Sequence, residues 1–532
     1  MPKRQAAWTA LFAALFSLCV TMGRRITFAG DVLLKNTENY IRPMAATDLV
    51  VFAAVFAVSW LALVPAQRLA AHGAKRMAQR AGEKRRYVRF AAIASLCLLV
   101  GWLPYILTVA PGNIYLDSLE SIGQMLEHGH PTSNHHPMFF TLLVGVFLKI
   151  GSVVFHSFNI GVLLFSLFQA VVMIFTIVCL LLMLYHKRVH KLVIAAALAY
   201  YMFMPYFPSY AMSMWKDVLY SCMLVLLSLL LMVLYERETA DWKWFGCFFV
   251  VGVGTMMMRN NGIYVFAASA VLALFAMRRH AKRLIIAAAA ALAVFVSLSS
   301  LATRVWNVHG DFVENVGIPL QQLGYAVNHD GEFSEEDWEY LYELAPKDVW
   351  GYAYRPCLVD PIKWNPFFNM DLLTQNKGQF FGVWLRGLQD NPMEYIDAYL
   401  LATHGFWKPF VQNLYGYMDV QMNENDFGIE FMDLFEKIFG FSLMPVLRDY
   451  PVIMGSGTLL WLCLLGCVLV CMQRMGGSVV CLPALLNWAT VMIATPVAYS
   501  LRYVYAFALG LPLYLLLPLL LGMHEGGTQR RA

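Results

Sequence analysis

Long apolar runs dominate the chain, and short polar clusters separate them. The runs predict spanning helices near residues 7–22, 48–66, 90–110, 160–185, 192–209, 218–235, 244–258, 262–276, 284–303, 452–472, 478–495 and 503–522. Several approach the roughly 20 residues that an α-helix needs to cross a bilayer. Four polar clusters stand at the ends of these runs: Asp117 in NIYLDSLES, Lys216-Asp217 in SMWKDVLYS, Arg259-Asn260-Asn261-Gly262, and Arg502 in LRYVY. Ionisable groups at a hydrocarbon edge are costly and are usually retained for function.

Sidedness follows from the basic residues, which favour cytoplasmic loops. Arg68, Lys75, Arg76, Arg80, Lys84, Arg85, Arg86 and Arg89 mark one such loop. Lys187, Arg188 and Lys191 mark a second, Arg278, Arg279, Lys282 and Arg283 a third, and Arg530 with Arg531 the C-terminus. A full crossing by the additional run 137–155 would put the second and third loops outside. A re-entrant or surface-lying helix there keeps every basic loop inside, and gives twelve crossings with both termini in the cytoplasm. The discordant segment is the external loop 23–47, with Arg24, Arg25, Lys35 and Arg42. On this topology all four polar clusters face the outside.

Composition agrees with the pattern. The chain has 532 residues, 59% hydrophobic and 14% charged, with a mean hydropathy of +0.57. It reads as an all-α polytopic membrane protein with a mostly helical external domain. Between Arg304 and Leu447 there are 21 Asp/Glu against 8 Lys/Arg. That segment is acidic, which argues against nucleic acid as a partner. Only Cys357 of the ten cysteines lies in it, so it has no internal disulfide. The apolar N-terminus lacks a convincing cleavage site and reads as a first membrane helix. The divisions are a two-helix extension with its basic loop (1–89), a membrane module (90–303), the external domain (304–451) and C-terminal membrane helices (452–532). In the external domain, Ser334 with Asp337 predicts one capped helix, and Asn391-Pro392 with Glu394 a second. Trp350, Trp364, Phe367, Phe368, Trp384 and Trp407 pack at the membrane interface or line a glycan cleft.

Each cluster has a bland reading and a chemical one. Asp117 is a helix N-cap or a general base towards a hydroxyl. Lys216-Asp217 is a snorkelling anchor, or a phosphate-holding cation beside an orienting carboxylate. Arg259-Asn260-Asn261-Gly262 is a turn, but an arginine on an external hairpin suits a phosphate ester, and Arg502, followed by Tyr503, suits one equally. His128, His130, His135 and His136 are solvated loop residues, donors to phosphate or sugar oxygens, or metal ligands. Their spacing matches no closed zinc site, so no metal ligand is assigned, and a divalent metal is the one cofactor left open.

Taken in order, the motifs resemble the GT-C superfamily of integral-membrane glycosyltransferases, which includes oligosaccharyltransferases, protein mannosyltransferases and aminoarabinose transferases. More narrowly they resemble an uncharacterised group of bacterial multi-spanning GT-C-like proteins. The resemblance rests on Asp117-Ser118, Gln124, Asn134-His135-His136-Pro137 with Thr141, Lys216-Asp217, and Arg259-Asn260-Asn261-Gly262. It continues through Pro319-Leu320-Gln321-Gln322, Asp360-Pro361-Ile362-Lys363, Asn391-Pro392 with Tyr395, and Arg502-Tyr503. It covers the chain from about residue 90 onward. It implies a catalytic aspartate in the first external loop of the module, at Asp117, and a second acidic motif about two helices later, at Asp217. Lys216-Asp217 stands where metal-dependent members carry an acidic pair, and no WWD-type motif occurs, which argues against protein N-glycosylation.

The expected reaction transfers a sugar from a polyprenyl phosphate to a hydroxyl of a cell-envelope glycan or lipid, with inversion. It takes place at the external face of a bacterial plasma membrane, among membrane lipids. Asp117 and Asp217 are the catalytic candidates. Lys216, Arg259, Asn261, Arg502, His135, His136 and Tyr503 are the substrate-binding ones. An O-antigen ligase or polymerase type of transferase, and a lipid or glycan transporter, are the alternatives.

Overall fold

The computed structural model describes residues 2–27, 40–78, 86–310, 312–411, 418, 420–448, 450, 453–494 and 497–522. The apolar runs fold as helices: α1 (Lys3–Arg25), α2 (Ala46–Ala78), α3 (Tyr87–Thr108), then the short α4 (Leu116–Gly123). They continue with α5 (Met138–Phe155), α6 (Phe158–His186), α7 (Lys191–Phe203), the short α8 (Tyr206–Ala211), α9 (Lys216–Glu236), α10 (Trp242–Met258), α11 (Gly262–Ala276) and α12 (Ala281–Trp306). The polar segment holds α13 (Gly317–Asn328), α14 (Glu335–Leu344), α15 (Lys347–Ala353), α16 (Asp360–Lys363), α17 (Met370–Gln375), α18 (Lys377–Asp390), α19 (Pro392–Thr403), α20 (Leu434–Phe439) and α21 (Met444–Arg448). The chain closes with α22 (Ser456–Gln473), α23 (Leu482–Ile493) and α24 (Tyr505–Leu521). Among the described residues the only sheet pairs Ile26–Thr27 with Tyr40–Ile41. The protein is an all-α, multi-pass membrane protein.

Ten helical segments among the described residues are long and apolar enough to cross a membrane. That set differs from the twelve expected. It includes Met138–Phe155 and omits α7, α10 and α11, which are shorter apolar helices.

The basic loops gather at one end of the bundle. Lys187 pairs with Glu236, and Arg279 and Arg283 donate to the carbonyls of Tyr235 and Ala240. Arg4 donates to the Cys471 carbonyl at 2.7 Å, and the Tyr87 hydroxyl lies 3.2 Å from His186 Nδ1. Arg80, Lys84, Arg85, Arg530 and Arg531 lie outside the described residues. From this end α1, α2, α3, α6, α7, α9, α10, α11, α12, α22, α23 and α24 each run towards the other.

α5 behaves differently. It folds back antiparallel on the first half of the much longer α6, with the Phe147 and Phe165 rings 5.9 Å apart further from the turn than the Gly151–Gly161 contact. Gly151 and Gly161 let the two backbones meet, since a Cβ on Gly151 would stand 2.4 Å from the Gly161 Cα. Just past the α5–α6 turn, Asn159 accepts from the Glu430 amide of the polar segment at 3.1 Å. Both ends of α5 therefore lie away from the basic loops.

In the loop 23–47, Arg42 is neutralised by a two-pronged contact to Asp48, one prong at 2.8 Å, and Lys35 lies outside the described residues. In the polar segment, Ser334 Oγ caps α14 at the Asp337 amide as expected, and Asp337 binds Arg386 of α18. The second expected cap differs. Proline does open α19, but the Asn391 side chain bonds both main-chain groups of Glu332 and so ties two loops together. Trp350, Phe368 and Trp407 are buried, while Trp364 and Phe367 are exposed.

Candidate functional site

Backbone pairing near residue 113 brings the first two clusters side by side. Asn113 donates to the Met212 carbonyl at 2.7 Å and accepts from the Met214 amide at 3.2 Å, while Ile114 pairs with Gln421 and Asn423 on its other side. Tyr115 stacks on Trp215 with ring centroids 4.3 Å apart, and Ser118 Oγ donates to the Met214 carbonyl. Asp117 and Lys216 thus leave neighbouring segments in the same direction. Tyr115 occupies the cap position of α4, and Asp117 sits in its first turn, so the N-cap reading of Asp117 does not hold.

The other two clusters close on them. The 259–262 turn presses on the end of α10, where a Cβ on Gly262 would stand 2.3 Å from the Thr255 carbonyl oxygen. Asn261 donates to Thr490 Oγ1 at 2.7 Å and to Asn487 at 3.3 Å, and Asn487 holds the Tyr503 carbonyl. Asn261 therefore ties the turn to α23 as well as facing the cavity. The 497–502 loop is pinned to the polar segment by the Ala498 amide on the Cys357 carbonyl.

Two ion pairs result. Arg502 Nη1 donates to Asp117 Oδ2 at 2.9 Å, and Arg259 Nη1 lies 2.7 Å from Asp217 Oδ1. Tyr503 lies beneath both guanidiniums, each 4.9 Å from its ring centre. Asp117 keeps about a third of its side chain open (35%), whereas Asp217 is buried behind Arg259. Enclosure raises the Asp117 carboxyl, but Arg502, Lys216 and His136 outweigh it and hold the group well below the usual carboxylate range.

All four clusters line one cavity of about 950 Å³ between the bundle and the polar segment. The polar segment contributes Glu314, Asp360, Lys363, Trp364 and Lys377. Lys363 stands 2.7 Å from Glu314 and 3.0 Å from Asp360. Five cationic lining residues (Lys216, Arg259, Lys363, Lys377, Arg502) stand against three lining carboxylates (Asp117, Glu314, Asp360) and Asp217 behind Arg259, which leaves an excess of one positive charge that suits an anionic ligand. His135 lines the cavity. His136 lies behind it, with Nδ1 2.6 Å from Lys216 Nζ and Nε2 2.9 Å from Glu120. His130 stacks on Trp306 and His128 is solvent-exposed, so these two stand apart.

Glu120, Glu314 and Lys377 were not singled out from the sequence. Glu120 carried the one available signal, lying three residues after Asp117 and so on the same helix face.

No curated protein and no solved structure matches the chain. One family model does, over residues 127–531, which leaves Asp117 and Glu120 before its start. The chain belongs to that family, described as a family of unknown function (DUF6020).

Proposed function

We propose that the protein is a membrane glycosyltransferase of GT-C type that transfers a sugar from a polyprenyl phosphate to a hydroxyl of an envelope glycan or lipid. The observation that carries this reading is the convergence of Asp117, Lys216, Arg259 and Arg502 on one cavity beneath a helical cover. The basic end is the cytoplasmic one by charge bias, so the cavity faces outward from a bacterial plasma membrane. Twelve helices cross, and α5 lies at the outer surface.

The donor phosphate binds Arg259 and Arg502, with Lys216 beside them. Engaging Arg502 loosens its grip on Asp117, which then accepts the acceptor's hydroxyl proton. The oxygen attacks the anomeric carbon as the bond to phosphate breaks, and polyprenyl phosphate leaves as an anion stabilised by the three cations. Asp217 holds Arg259 in place.

A second reading is a ligase-type transfer from a diphosphate-linked glycan without an aspartate base. The Asp117–Arg502 ion pair favours it, because a strongly paired carboxylate is a weak base. Envelope-glycan composition in cells carrying wild-type protein, no protein or Asp117→Asn at matched expression separates the two. Loss of one sugar in both the null and the variant supports the base. Loss in the null alone moves the ligase reading ahead, and no change in either removes support for glycan transfer.

A further inference from the structure

We propose that Glu120, His135 and His136 form a binding site for one divalent first-row metal ion, with zinc as its representative. Their ligand atoms lie within 4.8 Å of one another. Glu120 Oε2 is 2.9 Å from His136 Nε2 and 4.0 Å from His135 Nε2. Ligands bound tetrahedrally at 2.0–2.1 Å from zinc stand roughly 3.3 Å apart, so the trio needs only small side-chain adjustments to share an ion. Two imidazoles and one carboxylate suit zinc and leave a fourth position open.

Two further observations point to a ligand at this spot. His136 is 2% exposed, and its buried Nε2 has the Glu120 carboxylate as its partner at 2.9 Å, so ring and carboxylate present their ligand atoms at one place. In addition, His135 Nδ1 faces Glu314 Oε1 at 3.5 Å, which turns its Nε2 towards Glu120. A carboxylate behind a histidine is the arrangement that fixes the tautomer and orientation of a metal ligand.

The backbone supports this geometry. The Asn134 amide is held by the His309 carbonyl at 2.7 Å, and the His135 amide by Ser133 Oγ at 3.0 Å, so adjacent histidines turn towards one partner. Lys216 is the competitor. Its ammonium donates to His136 Nδ1, and an ion at Nε2 requires the ring proton to sit on Nδ1. Loading the ion therefore moves Lys216 off His136. The site stands or falls independently of sugar transfer.

The test uses full-length protein in detergent, purified without a polyhistidine tag, stripped with chelator and incubated with Zn²⁺ alone. Metal per protein is read by mass spectrometry after desalting, and Co²⁺ loading by visible absorption. About one equivalent is expected in the wild type. Glu120→Gln and His136→Asn lose it while remaining monodisperse, and Glu314→Gln weakens binding about 10- to 100-fold. Lys216→Met binds at least as tightly as wild type, and the His128→Asn/His130→Asn double variant binds as wild type. No stoichiometric zinc in the wild type overturns the site. So does zinc that survives both ligand variants, or that is lost with His128 and His130.

Discussion

Arg502 is the residue on which the chemistry of the cavity turns, because it touches Asp117, Tyr503 and the face of Trp215 at once. While it is in place, the Asp117 carboxyl lies well below its ordinary range and stays ionised across any practical assay pH. Stabilisation from such a lowered carboxyl is present above its unfolded value and is lost only as pH falls through the folded one. The pH–rate profile of the wild type should therefore show no acid limb from Asp117. Arg502→Gln removes the strongest of the lowering influences and leaves only Lys216 and His136 against enclosure, so the carboxyl rises from its wild-type position. The residual activity of that variant should acquire an acid limb displaced towards neutral pH, and identical limb positions in the two proteins would count against the pairing. Asp117, Lys216, Arg259 and Arg502 were legible in the sequence because a charge ending an apolar run is rare. Glu314 and Lys377 were not, since in an acidic polar segment they resemble ordinary solvated residues. His136 looked like one of four loop histidines, and only the fold separates it from His128 and His130.

At the scale of elements, short structures place long-range chemistry. The 259–262 turn holds Arg259 against Asp217 because glycine at 262 lets the chain lie on the end of α10. Gly262→Val must displace that turn, and we expect loss of activity together with a lower melting temperature, whereas Tyr264→Val, at an exposed neighbour, leaves melting near wild type. The cover has its own tie in Asp337, buried against half-exposed Arg386. Asp337→Ala should cost about 1–2 kcal/mol, allowing for solvent screening at the arginine, as read by thermal unfolding in detergent. An unchanged midpoint would show that the tie contributes nothing. Apolar periodicity and the Ser334 cap made the helices readable. The destination of Asn391 was not, because its partner Glu332 lies 59 residues away. The length and apolarity of α5 alone suggest a spanning helix, whereas the basic loops and its pairing along the first half of α6 argue otherwise.

For the whole molecule, charge bias gave the arrangement that pairing across the bundle supports: basic loops at one end, cavity and cover at the other. Membrane-impermeant maleimide applied to intact cells should label Lys377→Cys, and should reach Arg279→Cys only after permeabilisation. The reverse pattern would invert the molecule and remove the cavity from the outer face. The direct test of catalysis is donor turnover by purified protein mixed with a lipid extract containing polyprenyl-phosphate sugars, with free polyprenyl phosphate measured by mass spectrometry. Release by the wild type is expected, with a fall of about 10²- to 10⁴-fold in Asp117→Asn. No release from any polyprenyl-phosphate pool, or equal release by the two proteins, would contradict it.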